Sequence, residues 1–343
     1  MDRVETGARV ALAVDQVSFG CVAPAARSDV AALESAGARS LWVGGHIASR
    51  NPSPEALSWL ARLCEQVDDR TLVGTAVLLL PLYPPAIVAK MIADLDNVTG
   101  GRIALGVGVG GEYPGEFEAA QVPLAERGKR MDEAIALLRR FWTGEEISWD
   151  GPLFAMNSVR IHPAPAQPGG PPIVVAGRQP VAMRRAARLA DGWMPYLFSA
   201  RRYAESVATV RAEAEAIGRS LDGFGWLAYL PVSMDDDANL ARRRAAEFLG
   251  GTYKQDFDAM LDRVAVTGTP DDVARKLQEF VDAGARHLIL LPAVRENGTR
   301  MLTRILTEIA PAVGQGTAGQ ASKPSRQGPA MWPPSTTSDD PVQ

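Results

Sequence analysis

Along the first 300 residues the apolar positions switch repeatedly between two spacings. Residues 10–14 form a short continuous apolar run, the pattern of a strand buried on both faces. Residues 29–36 then carry helical spacing up to Gly37. The alternation predicts strands over 40–43 and 71–80, with helices over 54–67 and 84–97, the latter with proline in its first turn. A fourth strand begins at 103–105, and a helix over 126–142 places Met131, Ile135, Leu138 and Trp142 on one face. Residues 173–175 read as strand five and 180–189 as helix, with a very short sixth strand at 192–194 and a helix over 200–217. Strand seven follows over 226–233, with helical stretches near 239–249 and 257–264. The last helix has the clearest start: Thr269 as N-cap, Pro270 at the first helical position, then Asp271 and Asp272 against the dipole. Val273, Leu277 and Phe280 form its apolar face, Gly284 ends it, and residues 287–291 make the eighth strand.

Near-continuous apolar strands alternating with helices predict a parallel sheet covered by helices. Eight such units in about 300 residues suit a closed α/β (β/α)8 TIM barrel better than an open doubly wound sheet. Residues 144–170 break the rhythm and read as a small hairpin inserted between helix 4 and strand 5. Insertions at the C-terminal face of a barrel commonly build or cover the active site. Residues 314–343 hold four Gly, five Pro and seven Ser or Thr with almost no aliphatic side chains, so they predict a disordered tail behind a barrel domain at 1–313.

Composition narrows the function classes. With 46% hydrophobic and 22% charged residues the chain is not disordered throughout, and no apolar run reaches a membrane span. The formal net charge of −4, with scattered charges, gives no reason to expect nucleic acid or an anionic membrane as partner. Cys21 and Cys64 stand far apart, and His46, His162 and His287 lack metal-ligand spacing, so neither a disulfide framework nor a metal site is expected. No secretory-type apolar core follows the charged start, which makes the cytoplasm the default compartment.

In a barrel the chemistry sits just after each strand. Those positions here include Asp15, His46, Leu80, the run Gly106 to Glu112, Gly177-Arg178 and Trp193. They contain no paired carboxylates, no Ser-His-Asp set and no metal triad. The glycines at 106, 108, 110 and 111 require a sharp bend or a close backbone approach, and their match to GxGxxG is too weak to be a dinucleotide fingerprint. Gly177-Arg178-Gln179 before a helix start suits a phosphate, and a plain turn that needs glycine accounts for it equally well. His46 reads as catalytic or structural with equal ease, and Glu112 as a loop carboxylate. Residue chemistry alone therefore stops at a (β/α)8 enzyme with a phosphate-bearing ligand.

An ordered set of short motifs adds to this. It comprises GARSLWVGGH (37–46), Leu80-Pro81, TGGRI (99–103), LGVGVG (105–110), Glu116-Phe117, RGKRMDE (127–133), Trp142-Thr143, Ala176-Gly177, AARLADGW (186–193) and Gly268-Thr269-Pro270. In this order the chain resembles the bacterial luciferase-like monooxygenase family, and within it the branch dependent on coenzyme F420.

The resemblance implies a (β/α)8 oxidoreductase that transfers a hydride between a deazaflavin and a small organic substrate. It implies His46 beside the ring as proton donor or acceptor, with Glu112 second. It implies a strained, often cis, peptide supporting the ring at Thr75-Ala76-Val77, a cofactor-lining strand end at Val107, Gly108 and Gly110, and a phosphate turn at Gly177, Arg178 and Gln179. Many relatives read Gly-Asp-His where this chain has Gly44-Gly45-His46, which puts the weight on His46 alone. Val109 stands where flavin-using luciferases place a phosphate-binding arginine, which favours F420 over FMN. The alternatives are an FMN-dependent monooxygenase, with the 112–125 loop and the hairpin as lids, and a barrel that binds cofactor without chemistry. A homodimer stays open as its assembly.

Overall fold

The computed structural model describes residues 12, 16–49, 52–253 and 255–315. Eight strands form the barrel: β1 (Ser18–Val22), β2 (Ser40–Val43), β3 (Leu72–Thr75), β4 (Ile103–Gly108), β5 (Ile173–Ala176), β6 (Gly192–Met194), β7 (Gly225–Met234) and β8 (His287–Pro292). Each pairs in parallel with the next, and β8 returns to β1 with Ser18 opposite His287, which closes the sheet. Both faces of the strands are covered, so all four residues of β2 and all six of β4 are buried. Trp42, Ala104, Val174, Met194, Leu227 and Ile289 fill the barrel interior. A larger core lies between strands and helices.

The helices are α1 (Arg27–Ser35), α2 (Ala56–Cys64), α3 (Pro85–Val98), α4 (Pro114–Ala119), α5 (Arg127–Phe141), α6 (Pro180–Leu189), α7 (Ala200–Ala216), α8 (Ala238–Tyr253), α9 (Leu261–Val264), α10 (Pro270–Asp282) and α11 (Gly298–Arg304). At α10 the expected start is present as a reciprocal cap: Asp272 N–H donates to Thr269 Oγ1 at 3.3 Å, and Thr269 N–H donates to the Asp272 carboxylate at 3.2 Å. The cores of α8 and α9 pack with Leu197 and Ala293, which follow β6 and β8, so this segment borders the C-terminal mouth.

Two expectations need correction. The first barrel strand is 18–22; the run 10–14 lies outside the described residues except for Leu12, which packs in the barrel interior. Ser18 weakens the apolar signal of that strand because its hydroxyl is bonded to His287 Nδ1 at 2.6 Å. The third strand is not continuous over 71–80: β3 ends at Thr75, the Ala76–Val77 peptide is cis, and Leu78–Leu79 then pairs with the end of β4.

The hairpin (Ile147–Asp150 with Ala155–Val159) forms as expected. It leaves the end of α5, which runs back towards the N-terminal ends of the strands, and folds up along the outside of that helix. Glu133 holds it there, its 9%-exposed carboxylate accepting from Trp149 Nε1 at 2.9 Å and from the Leu153 and Phe154 N–H groups. Of the tail, Gly314 and Gln315 are described, and residues 316–343 lie outside the described residues.

Candidate functional site

The ends of β2 to β7 converge on the C-terminal mouth, and the side chains there fall into three groups.

The first is centred on His46, just beyond β2. Its Nδ1 lies 3.1 and 3.2 Å from the two carboxylate oxygens of Glu116 on α4. Glu116 Oε1 also accepts from the N–H groups of Ile47 at 2.9 Å and Ala48 at 3.3 Å. The carboxylate is 1% exposed, whereas the imidazole is 29% exposed. The ring meets Tyr113 edge-on at 5.1 Å, and the His46 N–H donates to Ser53 Oγ at 3.2 Å.

The second group is the floor formed by β3 and β4. Ala76 and Val77, joined by the cis peptide, pack with the interior cluster that contains Trp42 and Met194. Thr75 Oγ1 donates to the Gly106 carbonyl at 2.6 Å, deep in the sheet. A Cβ on Gly106 would stand 1.9 Å from Thr75 O, and one on Gly108 would stand 2.8 Å from the Val77 side chain. The close approach inferred from the glycine run is thus, in this part, made to β3. Val107 points into the strand–helix core, so only its backbone can line a ligand.

The third group surrounds the turn after β5. Trp193, fully buried, donates its indole N–H to Gly177 O at 3.1 Å and so supports the turn from beneath. Gln179 occupies the N-cap position of α6 and makes no side-chain cap there, with Pro180 following. The Arg178 guanidinium lies 4.8 Å above the ring of Tyr196, whose hydroxyl donates to Glu112 Oε1 at 2.9 Å. Burial and the Glu112 carboxylate push the Tyr196 phenol up to about 12 against the opposing Arg178, so it stays a neutral donor. Arg202 joins the turn through the Arg178 carbonyl at 3.3 Å. Tyr229 on β7 faces the interior cluster, and burial raises its phenol.

The two expected acid–base residues therefore belong to different groups: His46 is bonded to Glu116, and Glu112 to Tyr196. Sequence reasoning missed Tyr196, Arg202 and Tyr229, and it placed Glu116 only as a landmark, without a role. Nothing local marks these residues, because their partners are distant in the chain. Among the described residues no cluster of three metal-ligating side chains occurs, and no helix is long and apolar enough to cross a membrane.

The chain is similar to known proteins over most of its length. The profile of the luciferase-like monooxygenase family matches residues 22–287. The F420-dependent glucose-6-phosphate dehydrogenase of Mycobacterium tuberculosis is 28% identical over 293 residues, covering 78% of this chain and 84% of that protein. The 5,10-methylenetetrahydromethanopterin reductase of Archaeoglobus fulgidus is 25% identical over 265 residues, 66% of this chain and 78% of its own. The coenzyme F420 dependent tetrahydromethanopterin reductase from Methanopyrus kandleri has the same fold, with a TM-score of 0.71 at 19% identity over 87% of this chain and 99% of that one.

Proposed function

The chain belongs to the luciferase-like monooxygenase family, and from that premise we propose that it is a coenzyme F420-dependent oxidoreductase acting on a small organic molecule. The observation that carries the cofactor reading is the sequence match to F420-dependent enzymes over most of the chain. The residues of the mouth fit such a group. The cis Ala76–Val77 floor gives a surface for a planar ring, and the uncapped start of α6 beside Arg178 and Arg202 gives an anion its donors. When bound, the deazaflavin supplies the hydride chemistry.

The chain's own residues bind, orient and move a proton. Arg178 and the backbone of Gly177 and Gln179 would hold the phosphate, the backbone of Val107, Gly108 and Gly110 would line the ring, and Thr75, Ala76 and Val77 would support it. His46 would give or take the proton that accompanies the reaction of the substrate. Glu112, bonded to Tyr196, stands beside the phosphate turn as a second polar contact for substrate. Fluorescence titration of the protein with F420 and with FMN tests the reading: F420 binds the more tightly, and tight FMN binding without F420 binding overturns it.

The assembly we read is a homodimer through α3, whose exposed Ile87, Met91 and Val98 lie along one side of the helix. Two buried free thiols, Cys21 and Cys64, fit a reducing compartment such as the cytoplasm.

A further inference from the structure

We infer that Glu116 is the positioning residue for His46, holding the imidazole with its proton on Nδ1. The inference rests on the reading of His46 as the proton-transfer group.

The chemistry follows from the contacts. An ionised carboxylate can only accept hydrogen bonds, so the ring nitrogen facing it must be the donor. Both oxygens of Glu116 lie within 3.2 Å of Nδ1, so the carboxylate faces that nitrogen of the ring. In the neutral ring this leaves the Nε2 lone pair as the basic site. The same carboxylate accepts from the Ile47 and Ala48 N–H groups, so ring and loop are referenced to one buried side chain.

The carboxylate has to come from another element. A Cβ at Gly45 would fall 2.0 Å from Pro54 O and 2.9 Å from the Ala56 nitrogen, so the path of the chain leaves no room there for an aspartate. Glu116 arrives instead from α4, which is anchored next door by Phe117 packed with Leu79, Leu82 and Val122. The link joins the loops after β2 and β4 over the end of β3, where the cis peptide lies.

The test separates positioning from simple stapling. In Glu116→Gln the amide oxygen can still accept from Ile47 and Ala48, but the amide can meet Nδ1 as donor or acceptor. The tautomer is therefore released while the loop stays tied. The chain has only three histidines, so ¹⁵N-histidine NMR of the protein without cofactor, assigned with His46→Asn, reads the ring directly.

The expected result is an Nδ1–H ring in the parent and a mixture in Glu116→Gln. Melting temperature should stay within a few degrees and F420 affinity within about threefold, while the hydride step slows about 10- to 100-fold. Glu116→Asp should recover part of the tautomer bias. An Nε2–H ring in the parent overturns the inference, as does a Glu116→Gln protein with an unchanged tautomer. A His46→Ala protein with an undiminished hydride step overturns it too, and marks the failure as that of the His46 reading, since the tautomer measurement does not depend on turnover.

Discussion

His46, Arg178 and His287 are each held by partners that set what the side chain can do. His46→Ala should lower the hydride step by about 10²–10⁴-fold with F420 affinity little changed, measured by single-turnover absorbance beside a binding titration. An unaltered step would make His46 structural. Arg178→Ala should weaken F420 binding about 10- to 100-fold, the value of one charge-assisted hydrogen bond, with the residual affinity carried by the backbone of the turn. His287 is different: it lies at the other end of the barrel, between the hydroxyls of Ser18 at 2.6 Å and Ser40 at 2.7 Å. Burial lowers its pKa to about 4. The folded protein keeps the ring neutral while the unfolded chain takes up a proton below about pH 6.5. Its contribution to stability is therefore complete above that pH and is lost as pH falls towards 4. Between pH 7 and pH 5 the parent should lose about 2 kcal/mol more than a His287→Gln variant, read from urea midpoints. Equal losses would show that the histidine is already charged in the native state.

At the level of elements, the hairpin shows why position along the chain matters more than appearance. A hairpin in a barrel suggests a lid, but this one follows a helix and so starts from the end of the barrel opposite the site. Glu133→Ala would leave the Trp149, Leu153 and Phe154 donors without their shared acceptor. The expected cost is about 2 kcal/mol, with hydrogen exchange quickening over 149–156 and F420 affinity unchanged within about twofold. A large loss of affinity would restore the hairpin to the site. The elements that do reach the mouth are short: α4 brings Glu116, and the residue just after β6 brings Tyr196.

For the whole molecule, the apolar stripe of α3 is the feature that a closed single barrel leaves unexplained. Ile87 is 54% exposed and Val98 66%, with Met91 between them. If two copies bury this face, Met91→Glu should convert a dimer to a monomer in light scattering without altering the melting temperature by more than a few degrees. A parent that is monomeric at micromolar concentration removes the proposed assembly.

The periodicity of the chain was enough to place seven of the eight barrel strands, to start α10 at Thr269 and Pro270, and to place the glycine run at the end of β4. These features depend on neighbours within a few residues, where side-chain spacing and caps act. The ordered motifs further pointed to the family and its cofactor. Only the closed barrel decided the rest. The first strand, 18–22, is held by pairing with β2 and β8, and Ser18 serves the buried His287 there. The partners His46–Glu116 and Tyr196–Glu112 stand 70 and 84 residues apart. No local pattern encodes a contact of that kind: it exists because the strands of a closed sheet bring successive loops to one rim, where a carboxylate from one can complete the histidine of another.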